Sequence, residues 1–340
     1  MVMGSYLRYV LGRFPIFVIT IFISITIVFV VPRLVPGDPM QAVISKLAEM
    51  GGSRGSPELV EEYRKLFGLD QPILTQYLRY LRELGRGNLG YSIGNFPATV
   101  TELLMRSLPW TIGLLSITTI ISWVVGTFIG SVVGWRGGES KISKVLVPVA
   151  LGLYTIPYYI LAIILIFLFA YVWRIFPVSG GYTPGFPIKF SLLFVLDVIK
   201  HSILPALSII LISLGWWFLS MRSMIVLLQG EDYILLAQAK GLSDRRILWR
   251  YAFRNALLPQ VTGLAISLGR IVGGTIITEV IFAYPGLGWL LYESITLLDF
   301  PTIQGGVLLI VIAVAIANFI IDVTYPLIDP RIKYKRGYAR

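Results

Sequence analysis

The sequence has no cysteine and only one histidine, His201, in 340 residues. Disulfides, thiol catalysis and cysteine metal sites are excluded, and one imidazole cannot build a histidine metal cluster. Charge is scarce too: Asp, Glu, Lys and Arg make up 14% of the chain, against 56% apolar residues. No Gly-Lys dipeptide occurs anywhere. A Walker A loop needs one, because its backbone amides and lysine cradle phosphate together, so this chain binds no ATP of its own. A membrane-bound enzyme would need reactive side chains clustered at one depth, and the sequence offers none. We therefore assign no catalytic residues, no cofactor and no metal site.

What the sequence has is long apolar runs. Mean hydropathy is +0.78, which places the chain in the all-α polytopic membrane class. Runs of about 20 apolar residues cross the hydrocarbon core as helices. Six candidates stand out: 14–32, 108–135, 145–172, 203–227, 257–283 and 303–328. The net charge of +11 is then a loop signal for anionic lipid, not for nucleic acid. One set of short loops carries Arg8, Arg13, Arg136, Lys141, Lys144, the 240–254 cluster and the basic tail. The opposite short loops hold Arg174, Lys189 and Lys200. The positive-inside rule puts both termini in the cytoplasm of a multi-pass plasma or inner membrane protein. The first run is too long for a signal-peptide core and reads as a retained span.

This divides the chain into residues 1–32 (terminus and first span), an external insert 33–107, a core 108–330 and a basic cytoplasmic tail 331–340. In the insert, Ser56-Pro57-Glu58 opens a helix that Gly68 closes, and Gln71-Pro72 opens a second that Gly85 closes. Leu74, Tyr77, Leu78 and Leu81 fall on one face of the second. A helical cap on the membrane surface and a docking surface for an external partner are both open readings.

One stretch breaks the lipid-facing pattern: "YILLAQAKGLSDRRILWRYAFRNALLP", residues 233–259. Asp232 is placed to cap a short helix, Gly241 suits the position after its end, and Ser243 can cap a second helix. Arg246, Arg250 and Arg254 recur at i, i+4, i+8, with Ile247, Leu248, Tyr251 and Ala252 on the other face. That is an interfacial amphipathic helix. The small residues Ala237, Ala239 and Gly241 would let another surface approach.

This segment resembles the cytoplasmic "EAA" loop of binding-protein-dependent ABC importer permeases, in particular the dipeptide/oligopeptide branch with the type I importer fold. "VVPRLVPGDP" (30–39), "NLGYSI" (88–93), "PATVTELLMRSLPWTI" (97–112), "TEVIFAYPGLGWLLYESITLLDFPTIQG" (278–305) and "DVTYPLIDPRIK" (322–333) extend the likeness nearly end to end. There is one departure: the motif's glutamate is replaced by Leu235, so a contact through that carboxylate does not carry over. The resemblance implies a coupling segment, 231–256, that docks on an ATPase subunit. Its residues would be Tyr233, Ala237, Ala239, Lys240, Gly241, Leu242, Ser243 and Asp244. It also implies two cytoplasmic ATPases, a second homologous permease, an external solute-binding protein and alternating access. Peptides are the branch's usual cargo, with oligosaccharides or nickel as alternatives. A secondary transporter or channel without ATPases is the alternative class.

An ionisable side chain in mid-bilayer costs about 2.5–3.5 kcal/mol on insertion scales. Arg270 lies near the middle of the fifth candidate span and shares a face with Ser267, Gly274 and Thr278. This face either borders the translocation path or holds an arginine paired internally. Glu279, Pro285, Gly286 and Gly288 are expected to form an irregular turn at the outer mouth, gating it or meeting the binding protein. Arg222 and Asp322 are candidates for a salt bridge, with snorkelling of Arg222 alone as the commoner arrangement. Gly126, Gly130 and Gly134 repeat G-x-x-x-G, as do Gly269 and Gly273, which reads as close helix packing.

Overall fold

The computed structural model describes residues 2–40, 44, 57–138, 140–187, 189, 191–269 and 276–328. Among them there is no strand, only an isolated bridge between Tyr91 and Thr99. The helices are α1 (Val2–Leu34), α2 (Pro57–Phe67), α3 (Ile73–Gly85), α4 (Val100–Arg136), α5 (Lys141–Thr155) and α6 (Tyr158–Leu165). Beyond these come α7 (Leu192–Leu228), α8 (Asp232–Ala239), α9 (Asp244–Ile247), α10 (Phe253–Gly269), α11 (Ile276–Ile281), α12 (Leu287–Thr296) and α13 (Phe300–Ile328). Among the described residues four helices are long and apolar enough to cross a membrane, in α1, α4, α7 and α13, or five if α5 and α6 count as one span. The fifth candidate span, 257–283, appears as α10 and α11, with residues 270–275 outside the described residues.

The expected continuous span 145–172 is corrected. It is two helices bent by 100°. The break falls at Ile156-Pro157, where Ile156 takes an extended conformation (φ −76°, ψ 127°). A proline ring disfavours helical geometry in the residue before it and leaves no N–H for the helix ladder. After α6 the backbone widens into a π-helical stretch, Ile166–Val172.

The chain forms two compact units, Met1–Pro109 with Gly286–Arg340, and Trp110–Pro285. In the second, the glycine ladder of α4 lies against α7. A Cβ on Gly126 would stand 2.7 Å from the Trp217 Cβ, on Gly130 2.5 Å from the Phe218 carbonyl oxygen, and on Gly134 2.9 Å from that of Arg222. Backbone meets backbone along this seam, so glycine is required by space. On another face of α7, a Cβ on Gly215 would meet the Ala150 carbonyl of α5 at 2.7 Å. A core of Leu114, Leu115, Ala162, Leu165, Leu204, Ile209 and Phe282 fills the opposite end of this unit. His201 is part of the packing: its Nδ1 lies 2.8 Å from the Asp197 carbonyl oxygen one turn earlier.

In the first unit α1 runs beside α13, with the Phe17 and Phe319 rings 5.1 Å apart. The insert is fastened to this pair. Thr26 Oγ1 and Tyr77 Oη are 2.7 Å apart, and Phe29 packs on Tyr77 and Tyr80. Arg33 donates to Gln76 Oε1 and to the Phe29 carbonyl. Arg64 of α2 bonds Asp38 at 2.7 Å. Leu74 and Leu78 remain exposed on α3. α3 ends at Gly85 as expected, with Arg86 as its cap, and the left-handed residue that turns the chain away is Gly87 (φ +75°). The N–H groups of Gly87 and Asn88 bond back to Leu84 and Glu83, a closure that needs the left-handed residue after the cap. Ser56 lies outside the described residues.

Candidate functional site

Three places among the described residues hold the motif stretches. The first is the elbow. α8 closes as expected at Gly241, whose φ is +73°. The N–H groups of Gly241 and Leu242 bond to Gln238 and Ala237 at 2.8 and 3.3 Å, the paired bonds of a Schellman turn. Nothing lies within 4 Å of where a Gly241 Cβ would stand, so conformation alone selects glycine there. The two expected caps fail. Glu231, not Asp232, precedes α8, and neither Glu231 nor Ser243 makes a side-chain cap bond. The short helices are held instead by burial. Ile234, Ala237, Ile247, Leu248, Ala252 and Ala256 form one core with Met221 and Ile225 of α7. Gln229 Nε2 adds a bond to the Trp135 carbonyl at 2.8 Å, joining the ends of α7 and α4. Asn255 Nδ2 donates to Tyr233 Oη at 3.1 Å.

The expected straight second helix is interrupted by a π-helical turn, Leu248–Ala252. Even so, Arg246, Arg250 and Arg254 are exposed, Ile247, Leu248 and Ala252 are buried, and Tyr251 is partly buried. A wide turn inserts one residue into the helix and rotates the residues C-terminal to it. Ala237 faces the chain's own core, so its small size serves packing and not the approach of another surface. The outward side carries Leu235 and Leu236, 50% and 56% exposed, beside Ala239, Lys240, Gly241, Ser243 and Asp244. The sequence reading noted Leu235 only as the replacement for the motif's glutamate and passed over Leu236. The signal was available: with Ile234 and Ala237 buried at i, i+3, the residues between them must face out.

The second place is the α11 turn. Glu279 is buried, 1% exposed, and accepts a bond from Thr111 Oγ1 at 2.7 Å. Thr278 is buried with its hydroxyl unpartnered among the described residues. Past α11, Ala283 takes φ +44°. The N–H groups of Ala283 and Tyr284 bond to Val280 and Glu279, a Schellman turn closed by a residue that carries a Cβ. Tyr284 Oη lies 3.0 Å from Ser202 Oγ, and Trp110 packs edge-on to its ring. Burial pushes the Tyr284 phenol above its ordinary pKa, and the nearby Glu279 charge acts the same way. Pro285 is partly exposed, but Glu279, Gly286 and Gly288 are buried. Ser267 is partly buried in α10, while Arg270, Gly273 and Gly274 lie outside the described residues, as does the side chain of Asp322.

The third place joins two motif stretches. Asp299 is fully buried and caps α13: Thr302 donates from its N–H at 3.3 Å and from Oγ1 at 2.7 Å. Ser92 Oγ and the Ile93 N–H donate to the same carboxylate, at 2.5 and 3.0 Å. The "NLGYSI" loop is thus tied to the start of α13. Gly305 completes the fit, since a Cβ there would stand 2.5 Å from Val100 Cγ1. The sequence reading missed Asp299: its capping of Thr302 three residues on was a local signal, while its partners Ser92 and Ile93 lie 207 and 206 residues away.

Among the described residues the chain is a helical multi-pass membrane protein with an exposed elbow packed on α7. Its sequence agrees with that class. Residues 126–334 match the binding-protein-dependent transport system inner membrane component family, and residues 6–115 match the N-terminal model of the same membrane component. The chain belongs to this family of permeases. It is 32% identical to the di/tripeptide transport system permease protein DppB of Pseudomonas aeruginosa, covering 97% of this chain and 100% of that protein. It is 33% identical to the dipeptide transport system permease protein DppB of Escherichia coli K12, with the same coverage. The corresponding protein of Alkalihalophilus pseudofirmus is 31% identical, over 96% of this chain and 100% of its own length.

Proposed function

We propose that this chain is one of two homologous permease subunits of an ATP-driven importer for short peptides or similar small oligomeric solutes. The hydrolysis is supplied by two cytoplasmic ATPases, and the cargo arrives on an external solute-binding protein. The observation that carries the reading is the elbow. Leu235 and Leu236 are exposed on a helix whose other side is locked onto α7. Covering a leucine fully is worth about 1.5–3 kcal/mol, so a half-exposed pair favours a protein partner. Tyr233, Ala237, Leu242 and Gly241 shape the elbow, while Ala239, Lys240, Ser243 and Asp244 rim the contact. A push on α8 passes through the shared core into α7 and through α9 into α10. This is rigid-body gating.

The orientation puts both termini and the elbow in the cytoplasm and residues 33–107 outside, with 108–330 as the core and 331–340 as the tail. Ser267, Arg270, Gly274 and Thr278 border the solute path. Glu279, with Pro285, Gly286 and Gly288, forms the outer gate, and its buried carboxylate holds the turn closed through Thr111. Names of relatives support peptides as cargo. Membership of a binding-protein-dependent family favours this reading over a secondary transporter or channel.

The test is uptake of a radiolabelled dipeptide into vesicles containing both permeases and both ATPases, with the binding protein added. Uptake that needs ATP, the ATPases and the binding protein supports the proposal. Equal uptake without the ATPases overturns the mechanism, and ATP-driven uptake of another solute with none of dipeptide overturns the cargo.

A further inference from the structure

A cavity of about 230 Å³ opens in the first unit among α2, α3, the 88–93 loop and the start of α13. All of its lining residues belong to that unit. An engineered cavity of about 150 Å³ holds benzene, so this one has room for a larger body.

Two buried polar atoms in its lining have no partner among the described residues. Gln304 is 5% exposed, and its Nε2 donates to none of them. The Tyr80 hydroxyl is likewise unsatisfied. More than about 90% of buried polar groups find a partner, so two orphans lining one cavity point to a missing one. An amide nitrogen can only donate, so the missing group is an acceptor. Burial pushes the Tyr80 phenol up to about 12, against the pull of Arg33, so its O–H stays available as a donor.

The charge in the lining agrees. Arg33 spends its donors on neutral groups, Gln76 and the Phe29 carbonyl, with its guanidinium 3.6 Å from the Phe29 ring centre. Neither Arg33 nor Arg79 pairs with a carboxylate among the described residues. Glu83, the acid in the lining, is already engaged by Asn88 at 2.8 Å and Arg86 at 3.5 Å. The site is therefore left with a surplus of positive charge and free donors. The rings of Tyr91 and Phe300 supply apolar wall.

We propose that this cavity is a ligand site in the insert for a small amphiphile bearing one oxyanion, seated on Gln304, Tyr80 and Arg79 with its apolar body against the aromatic wall. The oxyanion is the carboxylate of a blocked amino acid or peptide end, or the phosphate of an anionic lipid headgroup. This site stands independently of the transport reading.

The test uses the full chain in phosphatidylcholine nanodiscs, titrated calorimetrically with N-acetylphenylalanine and with its amide. A parallel arm measures phosphatidylglycerol retained by the purified chain. Two variants accompany it: Gln304→Leu, which keeps volume and removes the donor, and Arg79→Ala, at an exposed position. Saturable binding of the acid, at least tenfold weaker for the amide and for each variant, supports the site with a free carboxylate as its source. Phosphatidylglycerol retention that falls in both variants, without binding of the acid, supports it with a lipid headgroup as the source. No saturable binding of either probe, or binding unchanged in both variants, overturns the proposal.

Discussion

Gly130→Ala tests the glycine seam between α4 and α7. The added Cβ would lie 2.5 Å from the Phe218 carbonyl oxygen and 3.1 Å from Met221 Cβ. Ordinary contact begins near 3.4 Å, so the surfaces must part by about 0.9 Å. The obstacle is backbone and cannot rotate away, so α7 itself has to retreat. The contacts at Gly126 and Gly134 lie on the same seam and loosen with it. A gap of about 0.5–1 Å forfeits a quarter to a half of the attraction of each atom pair. Overpacking of this kind costs about 1–3 kcal/mol, partly offset by the better helix propensity of alanine, about 0.5–1 kcal/mol. The assay is unfolding in mixed micelles against increasing SDS, with Gly152→Ala as the control, because nothing lies within 4 Å of that site. Gly130→Ala should unfold at lower SDS than wild type, and Gly152→Ala at equal or higher SDS. If Gly130→Ala matches or exceeds wild type, the space argument fails.

Asp299→Ala strips the acceptor from Ser92, Ile93 and Thr302 and should cost about 3 kcal/mol or more, since each orphaned buried donor costs about 1–3 kcal/mol. Limited proteolysis should cut the 86–99 stretch faster than in wild type, and unchanged resistance would count against the clasp. Ala283→Gly relieves a left-handed residue at φ +44° and should raise thermal stability by about 1 kcal/mol; an unchanged or lower melting point contradicts this. Leu236→Asp, at a position 56% exposed, should leave stability within about 0.5 kcal/mol while ATP-driven uptake falls at least tenfold. Normal uptake by that variant would remove the leucine pair from the coupling surface.

Apolar length made most of the spans legible, because the bilayer imposes a fixed crossing distance. The third was misread at Pro157. Pro109, Pro148, Pro205 and Pro259 all sit inside helices, so proline alone does not mark a break. Whether the chain bends depends on packing that local sequence does not encode. Gly241 was legible because a left-handed turn strongly prefers glycine. Gly85 and Gly87 flank one arginine, and pattern alone could not choose between them. Asp232 and Ser243 have the right chemistry for caps, but burial of Ile234 and Ile247 already fixes their helices. The glycine ladder was legible as a packing face, but its partner α7, the tie from Asp299 to the 88–93 loop and the surroundings of Gln304 depend on residues far away in the chain, which periodicity cannot reveal.

The elbow's role is open to one direct measurement. The protein contains no cysteine, so maleimide label found on this chain reads only a thiol placed by design. Ala239→Cys puts that thiol on the exposed side of α8. Labelling at least tenfold slower in the assembled transporter than in the isolated chain is the outcome expected of a surface gripped by an ATPase. Equal rates in the two states would mean that the elbow carries no partner and that coupling runs elsewhere.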